Sequence, residues 1–153
     1  MSPMYSRFAF AVLIAFSQGA WAALGAPLAS SAQDGTPAPA AYAARAAAVA
    51  PKLQSRALRA ARGVFVTEYA NSAGTVFAVA WRGRYRPDLG ALLGSRYAAF
   101  SQTSEQAGSG VAESLRQGQD IVVRSSGHMG AFSGVAWAPS LLPAGVDPME
   151  LQP

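Results

Sequence analysis

Two runs of β-branched and aromatic residues, Val64–Ala70 and Thr75–Trp81, flank the polar stretch Asn71-Ser72-Ala73-Gly74. That is the local pattern of a β-hairpin, and neither run contains a proline that would demote a strand to an edge. If Ser72-Ala73-Gly74 form a three-residue loop with Gly74 left-handed, Asn71 pairs with Thr75. Counting outward, Tyr69 then faces Phe77, Thr67 faces Val79 and Phe65 faces Trp81. This gathers four aromatics on one face and leaves Val66, Glu68, Ala78 and Ala80 on the other. Cross-strand aromatic pairs contribute roughly 0.5–1.5 kcal/mol beyond burial, so the aromatic face is the expected core.

Downstream, Pro87 fits the first position of a helix and Asp88 its first turn. Leu89, Leu92, Leu93, Tyr97 and Phe100 form one apolar stripe at helical spacing, which predicts a single helix lying across the aromatic face. Ser101–Gly110 reads as a polar loop, and Val111–Arg116 as a thin strand signal. Asp120–Ser125 reads as a strand, Ser126-Gly127-His128 as a turn and Ala131–Trp137 as the return. Gly134 inside that return implies a bulge or a close approach to another backbone. Pro139, Pro143 and Pro148 end regular structure, and residues 141–146 are expected to lie over the core. Before the hairpin, Leu53–Ala60 does not alternate cleanly; strand and helix both stand open, with Ala61-Arg62-Gly63 turning into Val64.

At the N-terminus the polarity changes character. Arg7, the apolar run Phe8–Phe16, the breakers Ser17-Gln18-Gly19 and Ala20-Trp21-Ala22 have the layout of an export signal cut before Ala23. The apolar run is short for a bilayer span, which favours cleavage over anchoring. Ala23–Pro51 is rich in alanine and proline and poor in large apolar residues, so it reads as a linker, with a short helix over Ala40–Ala48. The expected organisation is a signal peptide at 1–22, a mostly disordered linker at 23–51, one α+β domain at 52–146 and a tail at 147–153. The domain is expected to hold an antiparallel sheet of four to six strands, built from β-hairpins, with one amphipathic helix packed on one face.

Composition narrows the chemistry. The 153 residues include no cysteine, which excludes disulfides, cysteine zinc sites and thiol catalysis. The net charge is +4 and unevenly spread. Nine basic residues lie between Arg45 and Arg96 against Glu68 and Asp88, while the chain beyond Arg96 has two basic residues against five acids. The basic half either solvates the outer face of a sheet or forms a patch for an anionic partner, such as a phosphate-bearing envelope polymer or lipid. Nucleic acid is a poorer fit, since no recognised nucleic-acid fold accompanies the arginines.

Several separated motifs also agree in order and spacing: Gly74–Trp81, Pro87-Asp88-Leu89 with Leu92-Leu93-Gly94, Gly127-His128-Met129, and Ala136-Trp137 with Leu142–Val146. Over roughly residues 55–146 the chain resembles a bacterial family of short exported proteins, the domain of unknown function 2844 family. The resemblance implies an exported, proteobacterial protein and no particular activity. The alanine- and arginine-rich segment Ser55–Gly63 departs from the family, in which a clearer strand is usual.

His128 is the only histidine, so acid–base or serine–histidine chemistry would have to use it. Asp88 or Asp120 could orient it, and Ser125, Ser126 or Ser133 could be nucleophiles, but none stands in a strained elbow or a paired motif. One histidine with scattered carboxylates makes no metal shell. Glu68, Glu105 and Glu113 stand in no glycosidase context, and no glycine loop leads into a helix to cradle phosphate, so no cofactor is expected. The expected role is a non-catalytic envelope or secreted binding domain whose partner is an anionic envelope component or another exported protein. Two surfaces are candidates: the Arg82-Arg84-Arg86 corner and the Gly127-His128-Met129 turn. The rival readings are an envelope hydrolase working through His128 and a surface protein tethered by an uncleaved N-terminal helix.

Overall fold

The computed structural model describes residues 24–33, 35–103, 105–107 and 113–152. The expected leader and its cleavage point lie outside them, as do Val111 and Ala112 of the thin strand signal. In chain order the elements are β1 (Thr36–Pro37), α1 (Ala40–Val49), β2 (Gln54–Arg59), β3 (Phe65–Ala70), β4 (Val76–Gly83), α2 (Leu89–Leu93) and α3 (Tyr97–Ser101), then β5 (Glu105–Ala107), β6 (Glu113–Gly118), β7 (Ile121–His128) and β8 (Ala131–Trp137). All strands join one sheet in the order β1-β2-β3-β4-β8-β7-β6-β5, and every pairing is antiparallel. The fold is α+β, as expected. The sheet is larger than the four to six strands predicted: seven strands of three or more residues plus the two-residue β1.

The central hairpin forms with its expected turn but not its expected register. The Asn71 N–H donates to the Thr75 carbonyl at 3.0 Å, and Gly74 has φ +76°. Ala70 pairs with Val76, but Tyr69 pairs with Ala78, so Phe77 is an extra residue in β4. This bulge shifts the register by one: Thr67 faces Ala80, Val66 faces Trp81 and Phe65 faces Arg82. A one-residue shift sends side chains to opposite faces, so the four aromatics are divided. The Phe77 carbonyl accepts from the Ala138 N–H, a long-range bond just beyond the end of β8.

Both faces of the central strands are therefore cores. One face packs Val66, Val79, Trp81, Ile121 and Val123 under Leu92, Leu93 and Phe100. The other packs Tyr69, Phe77, Ala78, Ala80 and Val135 under Leu53, Leu142, Val146 and Leu151. Alternation between a buried and an exposed face fails along the central strands because the helices cover one face there and the tail, with Leu53, covers the other.

The predicted single helix is two short ones, α2 and α3, separated at Gly94, whose backbone leaves the helical region at φ +53° and ψ −127°. Asp88 is the cap rather than a first-turn residue and accepts the Ala91 N–H. The pair lies on the Trp81 face and not on the Tyr69–Phe77 face, and Tyr97 is exposed rather than core. Leu53–Ala60, open between strand and helix in the sequence, supplies β2. Glu105–Ala107, within the stretch expected to be loop, forms β5.

The segment expected to be a linker is packed where it is described. Leu24 is buried, its N–H donates to the Leu92 carbonyl, and its own carbonyl accepts from Arg96 at 2.9 Å. Pro27 bridges to Thr75, and α1 places Tyr42 against Phe65 with ring centroids 4.7 Å apart. Ser126-Gly127-His128, expected to be a turn, is the last part of β7; the turn itself is Met129-Gly130, with Gly130 at φ +85°. Gly134 lies in an unshifted stretch of β8, and its close approach is to the Trp81 ring and the Arg124 carbonyl rather than a bulge.

Candidate functional site

One end of the sheet holds both surfaces singled out in the sequence. There Gly83 pairs with Phe132, which also pairs with Gly127, while His128 pairs with Ala131. The β4 end and the β7–β8 hairpin tip thus run out side by side. Arg82 shares a sheet face with its partners Phe65 and Ser133. On that face lies an open groove of about 970 Å³, and Arg45 from α1, Arg82, Arg84 and His128 stand along it. Its wall carries the stacked rings of Tyr42 and Phe65.

The groove has no acidic lining residue among the described residues. Arg45, Arg82 and Arg84 make no hydrogen bond or ion pair with any other described residue, whereas Arg96 is bound to Asp120 and Arg124 to Glu113. Burial raises the pKa of the Tyr42 phenol; the Thr67 hydroxyl, which donates to it at 3.4 Å, and the positive charge of Arg82 pull the other way. The phenol therefore stays neutral and available to hydrogen-bond. The groove can neutralise an anion and offers a flat aromatic surface beside it.

The arginine corner is not one surface. Arg86 turns to the opposite face, where its guanidinium lies 5.5 Å from the centroid of the Phe132 ring. It borders a separate cleft of about 300 Å³ with Trp81, Ser114 and Ser125. Gly127 has no room for a side chain, since a β-carbon there would come within 2.8 Å of the Ala131 carbonyl oxygen. His128 and Met129 are exposed. Sequence reasoning missed Arg45 and Tyr42, because the alanine run around them reads as a linker and the packing that orients α1 is long-range. Arg62, expected in the turn into Val64, lies there, at φ +59° in the β2–β3 connection at this same end.

Among the described residues, the groups considered as catalytic partners of His128 are engaged elsewhere. Its Nδ1 lies 3.3 Å from the carbonyl of the adjacent Met129. The serines considered as nucleophiles bond to other serines: Ser126 to Ser133 at 3.1 Å and Ser125 to Ser114 at 2.9 Å. Asp88 caps α2, and Asp120 accepts from Ser140 and Arg96, so both candidate orienters are used elsewhere. Glu68 is buried directly across from Arg56, and Glu113 pairs with Arg124. Among the described residues no group of three or more histidines or carboxylates could hold a metal, and no helix is long and apolar enough to cross a membrane.

No curated protein and no solved structure matches the chain. A family does, over residues 20–151, which takes in the N-terminal strap from Leu24 and the short 3-10 helix of the tail as well as the sheet. The chain belongs to that family, described as protein of unknown function (DUF2844).

Proposed function

We propose that the protein is an exported, non-catalytic binding domain that takes an anionic, phosphate-bearing envelope component in the groove between α1 and the end of β4. The observation that carries this reading is the set Arg45, Arg82 and Arg84, converging on a groove whose described lining contains no acid. Arginine presents a planar fork that suits phosphate, and cations without partners among the described residues keep their attraction for a ligand. Export is supported by the leader layout of residues 1–22, which predicts a chain beginning at Ala23.

The test uses long-chain polyphosphate as a soluble anion. The exported protein should bind it with an affinity that falls as salt rises, and Arg82→Gln with Arg84→Gln should weaken binding roughly tenfold or more, two charge-assisted contacts being lost. Equal affinity in the wild type and the double variant would remove the groove from consideration. Intact mass of the exported protein checks the N-terminus: a mass retaining residues 1–22 would favour the tethered form instead.

A further inference from the structure

The end of the sheet that holds the groove also carries the most exposed large apolar side chain of the described residues. Met129, at the two-residue tip between β7 and β8, is 95% exposed. Tyr85, in the connection leaving β4, is 53% exposed. The pairings Gly83–Phe132 and His128–Ala131 set these two segments next to one another at the same end. Arg82 and Arg84 stand at this end on one sheet face, Arg86 stands on the other, and Arg62 occupies the neighbouring β2–β3 connection. Of the described acids, Asp88 is engaged in capping α2 and Glu113 with Arg124. At the far end of the sheet are the Asn71–Gly74 turn and Asp120, which holds Arg96, the neighbour of the exposed Tyr97; Met129 and Tyr85, the two most exposed large apolar side chains of the described residues, share the opposite pole with Arg82, Arg84 and Arg86.

An apolar tip and a tyrosine ringed by arginines is the arrangement that a headgroup layer accepts. The thioether and the phenol ring enter the boundary between headgroups and acyl chains, while the guanidinium groups remain at phosphate depth. We propose that this pole docks the protein peripherally on an anionic phospholipid bilayer, Met129 and Tyr85 entering the interface and Arg82, Arg84 and Arg86 contacting lipid phosphates. The inference rests on the anion-binding reading of the groove and adds to it the form in which the anion is presented. A soluble polyanion would use the arginines alone; a bilayer uses the apolar pair as well.

The experiment is co-sedimentation of the exported protein with vesicles of phosphatidylethanolamine, with and without phosphatidylglycerol, beside polyphosphate binding in solution. Wild type should bind only the vesicles that contain phosphatidylglycerol. The variant Met129→Ser with Tyr85→Ser alters side chains that are largely exposed and leaves the net charge unchanged, and a thermal melt verifies that it is folded. It should lose roughly tenfold or more in vesicle affinity, as expected for removing interfacial apolar anchors, while its polyphosphate affinity is unchanged. As a second measurement, a tryptophan introduced by Met129→Trp should shift its emission to the blue on vesicles containing phosphatidylglycerol and be quenched by brominated lipid. Polyphosphate binding without vesicle binding would overturn the docking inference and leave the anion-binding reading intact. Vesicle binding that survives Met129→Ser with Tyr85→Ser, or no blue shift at position 129, would likewise overturn it. Binding of neither probe would overturn both readings.

Discussion

Trp81 of β4 lies directly across the sheet from Gly134 of β8, and its indole occupies the space that a side chain at position 134 would fill. A β-carbon there would run into the ring and would also lie 2.6 Å from the Arg124 carbonyl oxygen of the next strand. The glycine is therefore the socket for the largest fully buried side chain of the core. Gly134→Ala should destabilise the fold by about 2 kcal/mol or more, as overpacking against rigid backbone does, read as a lower urea midpoint at unchanged slope. An unaltered midpoint would mean the ring does not sit there.

Two other glycines separate strain from clash. Gly74 has φ +76°, and a β-carbon added to it would meet nothing within 4 Å. Gly74→Ala should therefore cost only the backbone term, about 1–2 kcal/mol, and Gly74→Asn clearly less. Gly35 lies in the stretch that reads as a tolerant linker in sequence. A β-carbon there would come within 2.7 Å of the Arg59 carbonyl oxygen, so Gly35→Val should lower the melting temperature through packing alone. Thermal melts of the three variants check the order.

Much of this could be read in the sequence, and the limits have physical causes. The β-branched runs around Asn71–Gly74 are local, and so the hairpin and its turn were legible. The register was not, because the bulge at Phe77 accompanies a bond from Ala138, sixty-one residues away in sequence, as the numbering shows. The leucines of α2 marked a helix, but the break at Gly94 belongs to a glycine whose left-handed backbone no periodicity announces. At the candidate site Arg82 and Arg84 were visible as a basic corner. That Arg86 leaves them for Phe132, while Arg45 joins them from an alanine-rich helix, depends on tertiary placement. His128 was visible only as the sole histidine; the structure adds that Asp88 and Asp120, its candidate orienters, are bonded elsewhere.

Tyr69 carries a buried hydroxyl with no hydrogen-bond partner among the described residues, and burial pushes its pKa up, with the nearby Tyr42 adding to the effect. Removing a polar group that has lost its water without gaining a partner should stabilise the fold. Tyr69→Phe is expected to gain about 1 kcal/mol, within the usual penalty for an unsatisfied group. Calorimetry showing a loss of that size would mean the hydroxyl is bonded after all.

Asp120 connects two distant parts of the chain. The Ser140 hydroxyl, then its backbone N–H, then Arg96 at 3.0 Å hold its carboxyl below the ordinary 3.8, against the opposing effect of burial. Since the unfolded chain takes up the proton more readily, the charged form contributes stability above the ordinary value, and the contribution fades as pH falls through the lower folded-state value. Asp120→Asn keeps a side chain tolerant of the left-handed backbone at φ +51° while removing the charge. The wild type should be the more stable of the two near neutral pH, and the difference should shrink as pH falls below about 4. Urea midpoints measured across that range test the sign; a gap that widens with acid would refute it.

The sheet ends in its two smallest strands, the two-residue β1 and the three-residue β5. On the β1 side, Pro37 has no amide hydrogen to offer a neighbour, and the Ala38 N–H is already given to the Ala57 carbonyl. Broad, hydrophobic central strands such as β4 and β8 are the ones that would recruit further chains if they stood at a border, and here they are farthest from it. The described borders thus offer little template for strand addition. Among the described residues, copies of this protein that meet at high local concentration find little backbone to pair with, so a chain with so much apolar sequence has few places from which to grow edge by edge.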